Sequence, residues 1–271
     1  MDYSEDFEWF SLQLKPFFSS SEIRFLYRIF LDHHQENKLN VSVSKFLNTA
    51  VKELQTGKPY QQILGETEFF GLKFFVDENV LIPRPETEEL LELAIKRIQN
   101  SPLQNEKIKI LDIGTGSGII PIILKKKFPN AEVFALDFSE KSLEIAKKNA
   151  DLHGVEIHLF HQNYLENELT EVYDVIISNP PYIGIDEQND IENSVKNFEP
   201  NMALFSPVSD PLIFYRKIAR DAVSNLNDGG IIFLESNQKL GPETQSLFFD
   251  FTISELIKDL SGNDRFVVVK K

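Results

Sequence analysis

The residues of this chain best suited to chemistry are Asn179-Pro180-Pro181-Tyr182, which follow the apolar run Tyr173-Asp174-Val175-Ile176-Ile177. The run reads as a buried strand, so the four residues sit where a strand ends. Two consecutive prolines hold the backbone extended and remove two N–H donors. What remains is one side-chain amide, backbone carbonyls and one aromatic face, a set suited to gripping a planar amino or amide group. Open α/β sheets bind ligands at the carboxyl ends of their strands, where this set lies.

A second group precedes it. Asp112-Ile113-Gly114-Thr115-Gly116-Ser117-Gly118 closes one apolar run and opens a helical one. Glycines let a backbone turn tightly and approach a ligand with no Cβ in the way. Asp137 ends the next apolar run about 20 residues on, where a carboxylate can accept hydrogen bonds from a ribose diol. A dinucleotide such as NAD would want Gly-x-Gly-x-x-Gly, with its pyrophosphate on the helix N-terminus. Here the spacing is Gly-x-Gly-x-Gly with Asp112 just before it, and a carboxylate suits a cation better than a diphosphate. S-adenosylmethionine carries an adenosine, a ribose diol, an ammonium and a sulfonium, and fits this context better than NAD.

Both groups need a sheet to hold them. Strands are expected at Ile108 to Ile113, Glu132 to Leu136, Glu156 to Phe160 and Tyr173 to Ser178, with helices at Ile119 to Phe128 and Ser139 to His153. A helix over Asp210 to Asn225 leads to a Gly229-Gly230 turn and a strand from Ile231 to Glu235. Such alternation predicts an α/β fold, a mostly parallel sheet with helices on both faces. Final strands near Ser254 to Leu260 and Arg265 to Lys270 are close enough to pair antiparallel. The first sixty or so residues read as helical, with Ser20 or Ser21 capping the segment of Ile23, Leu26, Tyr27 and Phe30. A second helix carries Phe46, Leu47, Ala50, Val51 and Leu54, and Gly57 stops it. Glu68 to Val76 suggests a β-hairpin, and Thr87 or Glu86 opens a helix after Pro83 and Pro85. The expected division is a helical unit over 1–66, a hairpin linker over 67–80 and an α/β unit over 81–271.

Composition narrows the classes. Of 271 residues, 42 are acidic and 28 basic, a formal net charge of −14, which argues against a broad phosphate-tracking surface. With no cysteine there are no disulfides, thiolate metal sites or cysteine nucleophiles, and no metal site is expected. The acidic start Met1-Asp2-Tyr3-Ser4-Glu5-Asp6 is no signal peptide, and no apolar run approaches membrane-spanning length, so a cytoplasmic protein is expected.

Glycine loop, second-strand acid and fourth-strand Asn-Pro-Pro-Tyr together resemble the Rossmann-like class I methyltransferases that act on amino groups. Gly57-Lys58-Pro59-Tyr60-Gln61-Gln62-Ile63-Leu64-Gly65 and Ile82-Pro83-Arg84-Pro85-Glu86-Thr87-Glu88 narrow the resemblance to the HemK/PrmC family, glutamine-N5 methyltransferases of peptide-chain release factors. Phe198-Glu199-Pro200, Ala203-Leu204 and Asp259 to Arg265 also match, so the similarity spans nearly the whole chain. The resemblance implies that Gly114, Thr115, Gly116, Ser117, Gly118 and Asp137 hold S-adenosylmethionine, with S-adenosylhomocysteine as product. It implies that Tyr164 lies beside the adenine and that Asn179 touches both cofactor and substrate. The Asn179 side-chain oxygen and Pro180 carbonyl accept from the substrate NH2, Tyr182 packs over its plane, and Pro181 completes the pocket. The implied partner is a release factor bearing a Gly-Gly-Gln motif, methylated by a monomer with the helical unit as a second contact surface. Two positions depart from the family: Gln62 stands where Tyr is usual, and Asn237 where Gly is common. An amino methyltransferase acting on adenine or guanine of DNA or rRNA is the alternative, and a non-catalytic adaptor a third reading.

Overall fold

The computed structural model describes residues 3–105, 107–184, 193–206 and 208–271. Four helices come first: α1 (Tyr3–Leu14), α2 (Ser20–Glu36), α3 (Val43–Gln55) and α4 (Tyr60–Leu64). The cap of α2 is Ser19 and neither Ser20 nor Ser21. Ser19 and Glu22 form a capping box, the Ser19 hydroxyl accepting from the Glu22 N–H at 3.3 Å and the Ser19 N–H donating to the Glu22 carboxylate at 2.7 Å. The helical spacing of Ile23, Leu26, Tyr27 and Phe30 buries them against Phe10 and Leu14 of α1 and Leu47, Ala50, Val51 and Leu54 of α3. These helices thus close a core of their own.

Strands β1 (Glu66–Phe69) and β2 (Leu72–Phe75) form the expected hairpin. Its turn, Phe70-Gly71, has φ of +54° and +68°, as two-residue hairpin turns of this twist require. Helix α5 (Pro85–Gln99) begins with Pro85 in its first turn and Arg84 as N-cap. Neither Thr87 nor Glu86 opens it; Pro85, with φ already helical and no N–H to lose, does.

The remainder alternates: β3 (Lys109–Ile113), α6 (Ile119–Lys127), β4 (Glu132–Asp137), α7 (Glu140–His153), β5 (His158–His161) and β6 (Tyr173–Ser178). Then follow α8 (Asn193–Phe198), α9 (Asn201–Leu204), α10 (Ile213–Asn225), β7 (Leu226–Glu235), α11 (Gly241–Ser246), β8 (Ile253–Lys258) and β9 (Asp264–Lys270). The sheet order is β5-β4-β3-β6-β7-β9-β8, with β9 antiparallel to both neighbours and the other pairs parallel. This is the mostly parallel α/β sheet expected.

Burial on both faces follows from the two-residue period of the strands. Ile110, Val175, Ile177, Ile231 and Phe233 meet α5 and α6 on one face. Leu111, Ile113, Ile176, Ile232 and Leu234 meet Tyr215, Ile218 and Ala222 of α10 on the other. Several boundaries shift: α10 begins at Ile213 and not Asp210, and two further shifts show their cause. The end of α7 consumes Gly154 in a left-handed turn and Val155, whose N–H donates to the Ala150 carbonyl, so β5 starts two residues late. Gly229-Gly230 lies inside β7 as a bulge: Tyr173 pairs with Leu226 but Val175 with Ile231. Among the described residues, no helix is long and apolar enough to cross a membrane.

Candidate active site

The register of three strands assembles the site. Ile113 of β3 lies opposite Leu136 of β4 on one side and Ser178 of β6 on the other. The residues that follow, Gly114, Asp137 and Asn179, therefore leave the sheet side by side, with neighbouring strands about 5 Å apart. The chain crosses from β3 to β4 in one direction and reaches β6 in the other, which makes the β3–β6 edge a topological switch point. The Ser178 hydroxyl donates to the Ile113 carbonyl at 2.7 Å and ties the two strand ends together.

The glycine loop is built to two different demands. Gly114, Gly116 and Gly118 have φ of +78°, +54° and +79°. A Cβ on Gly114 or Gly116 would meet nothing within 4 Å, so those two face open space. On Gly118 it would fall 2.9 Å from the Ala146 Cβ, so this glycine exists to let α6 pack on α7. Thr115 and Ser117 are buried beneath the loop.

Carboxylates flank the loop. Asp137 accepts from the Gly116 N–H and the Ser139 N–H, each at 2.8 Å. Burial raises its pKa despite those donors. Two carboxylate oxygens offer about four acceptor positions, so capacity remains for a diol. Asp112 is fully buried, with the Thr115 hydroxyl as a neighbouring donor too loosely placed to satisfy either oxygen in full. Burial, opposed by the Thr115 hydroxyl and aided by the Asp137 charge, pushes its pKa up to about 7. An incompletely satisfied buried carboxylate under a loop with open space above Gly114 and Gly116 fits a cationic ligand, and S-adenosylmethionine carries an ammonium and a sulfonium.

On the other side, Asn179 is half-buried and Pro180 buried. The Asn179 amide NH2 donates to the Thr87 hydroxyl at 3.1 Å. Thr87 in turn donates to Glu235 Oε2 at 2.8 Å, and Tyr182 donates to Glu235 Oε1 at 3.2 Å. Among the described residues, nothing donates to Asn179 Oδ1 or to the Pro180 carbonyl.

Thr87 and Glu235 are the residues that sequence reading missed; the faint signal was a lone Glu ending the apolar strand Ile231 to Leu234. Phe138 was missed as well. It follows Asp137 directly and is 56% exposed, an aromatic ring in solvent at the carboxyl end of β4. Tyr164, expected beside the adenine, is 3% exposed and packs on the α10 side, with the Lys217 ammonium 4.7 Å above its ring. The two departures have plain roles. Gln62 is buried and donates to the Phe198 carbonyl at 2.7 Å. Asn237 has no positive φ, so a glycine is not required there.

Comparison with known proteins agrees with this geometry. A family model described as the methyltransferase small domain matches residues 92–198, the stretch holding the glycine loop, Asp137 and Asn179 to Tyr182. A solved methyltransferase from Pyrococcus furiosus shares the fold at a TM-score of 0.55 and 20% identity, over 81% of this chain and 98% of its own. A release factor glutamine methyltransferase of Lactococcus lactis is 42% identical over 83% of this chain and 82% of its own. One from Flavobacterium psychrophilum is 45% identical over 94% of both chains. Identity at that level over nearly the full length of both proteins settles the relationship, and the chain belongs to the release factor glutamine methyltransferases.

Proposed function

We propose that the chain carries out its family's reaction with Asn179 and Pro180 as the grip on the substrate. It transfers a methyl group from S-adenosylmethionine to the side-chain amide nitrogen of a glutamine in peptide-chain release factors, the glutamine of their Gly-Gly-Gln motif. One observation carries the site assignment. Asn179 and Pro180 end the strand beside the glycine loop, and among the described residues the Asn179 amide is held by its NH2 on Thr87, which leaves Oδ1 and the Pro180 carbonyl open to accept.

The cofactor supplies a methyl group on a sulfonium sulfur that departs as the thioether of S-adenosylhomocysteine. An amide nitrogen is a poor nucleophile because its lone pair is delocalised into the carbonyl. Accepting both N–H groups at Asn179 Oδ1 and the Pro180 carbonyl aims that lone pair at the methyl carbon. The same acceptors stabilise the positive charge that builds on nitrogen. The proton then leaves to water, so no dedicated base is required. Tyr182 covers the amide plane and Pro181 completes the wall. Gly114 to Gly118 with Asp112 receive the methionine end and Asp137 the ribose diol. Phe138, exposed beside Asp137, is better placed than the buried Tyr164 to receive the adenine face.

The helical unit over 1–66 serves as a second surface for the release factor, joined through the hairpin linker over 67–80 to the catalytic unit over 81–271. Its separate core supports that division. The enzyme works as a cytoplasmic monomer, and the net charge of −14 favours a protein over a nucleic-acid substrate. The test is to incubate the protein with methyl-labelled cofactor and, in parallel, release factor, DNA and rRNA, then locate the label by mass spectrometry. Label on the release-factor glutamine is the expected result. Label on nucleic acid alone, or nowhere, overturns the reading.

A further inference from the structure

We propose that Thr87 and Glu235 are positioning residues which decide which end of the Asn179 amide faces the substrate. The proposal rests on the reading that Asn179 Oδ1 grips the substrate NH2. An asparagine amide has a donor end and an acceptor end of nearly the same shape, so the grip works in only one of two flips. The Thr87 hydroxyl has a single proton, and it goes to Glu235 Oε2 at 2.8 Å. Toward Asn179, 3.1 Å away, the Thr87 oxygen can then only accept. Asn179 must turn its NH2 to Thr87, which leaves Oδ1 for the substrate. The second oxygen of Glu235 takes the Tyr182 proton. One carboxylate thus fixes both the amide and the ring of the grip, and neither hydrogen bond survives its removal.

The polarity of this relay depends on Glu235 being an acceptor on both oxygens. The groups around it are Arg265 of β9, Glu86 and Thr87 of α5, and Tyr182; Tyr215 of α10 donates to its backbone carbonyl at 2.8 Å. Burial raises the Glu235 pKa to about 7, against the pull of the Thr87 bond and the Arg265 charge. A protonated Glu235 can donate to Thr87, which frees the Thr87 proton for Asn179 and permits the wrong flip.

The experiment uses the full-length enzyme with a release factor and saturating cofactor, comparing Thr87→Val, Thr87→Ser, Glu235→Gln and Asn179→Ala. Single-turnover methylation, cofactor affinity by calorimetry and thermal melting are read for each. Thr87→Val is expected to slow methyl transfer on the order of 10- to 100-fold, with cofactor affinity held within about twofold. Thr87→Ser, which restores the hydroxyl, recovers most of the rate. The wild-type rate should rise with pH through an ionisation near neutrality that Glu235→Gln lacks, because the glutamine NH2 can always donate. Equal rates for Thr87→Val and Thr87→Ser, with Asn179→Ala inactive, would overturn the relay and leave the grip standing. An active Asn179→Ala would overturn the grip itself. Where valine perturbs folding, Thr87→Ala against Thr87→Ser makes the same comparison.

Discussion

Asp112 is the residue whose chemistry is least settled by its own surroundings, since the loosely placed Thr115 hydroxyl satisfies neither of its oxygens in full. Burial pushes its pKa from 3.8 up to about 7, and the sign of the consequence follows from linkage. At low pH the folded and unfolded chains both hold the proton, and Asp112 costs nothing. As pH rises through about 4 to 7 the unfolded chain ionises first, so the ligand-free protein loses stability across that window and keeps the loss above it. A cationic ligand over the carboxylate reverses the effect. Cofactor binding should therefore release a proton between about pH 5 and 7 and weaken on acidification across that range. Asp112→Asn should flatten the dependence, and titration calorimetry in two buffers of different ionisation enthalpy measures it. A wild-type affinity indifferent to pH in that range would show that Asp112 does not face the cation. Gly114, Asp137 and Asn179 were legible in the sequence because each follows an apolar run with a residue that packing alone does not demand. Thr87 and Glu235 were not, because their bond spans 148 positions and a Thr after Pro85 reads as a helix opener.

The β3–α6 connection separates folding from binding within five residues. Gly116 has φ of +54° and open space where a Cβ would point, whereas on Gly118 a Cβ would strike the Ala146 Cβ at 2.9 Å and its Cα at 3.0 Å. Gly116→Ala should thus cost only the left-handed strain of about 1–2 kcal/mol while the new methyl group stands in the ligand's way. Gly118→Ala adds a backbone-level clash between α6 and α7 to the same strain, and should melt well below Gly116→Ala. Thermal melting with and without cofactor separates them. If Gly116→Ala binds cofactor as the wild type does, the loop does not approach the ligand as proposed. Element identities were readable because β3, β6 and the end of β7 are short, nearly continuous apolar runs, as strands buried on both faces must be. Boundaries were not, where a local motif took residues from its neighbour. The Gly154–Val155 helix ending delayed β5, and the Gly229-Gly230 pair entered β7 as a bulge, with Gly230 so tight that a Cβ would meet the Asn227 carbonyl at 2.8 Å.

For the molecule as a whole, the question is how the helical unit is held against the strand end proposed to grip the substrate. Three segments meet there. Gln62 of α4 donates to the Phe198 carbonyl at 2.7 Å. The next residue, Glu199, accepts from the Ile82 N–H at 2.9 Å and pairs with Arg84 at 2.6 Å, just before α5 carries Thr87 to the site. Gly57 lies under the Phe198 ring, where a Cβ would stand 3.9 Å from it. The helical unit is therefore fastened to the same short stretch that leads into α5. Gln62→Met keeps the volume but leaves the Phe198 carbonyl without its donor, a loss of about 1–3 kcal/mol when the acceptor stays buried. Hydrogen exchange should quicken in α4 and α8, and the KM for release factor should rise while cofactor affinity holds. Unchanged exchange in α4 together with an unchanged KM would mean that the core of Phe10, Phe30 and Leu47, and not this bond, fixes the helical unit in place.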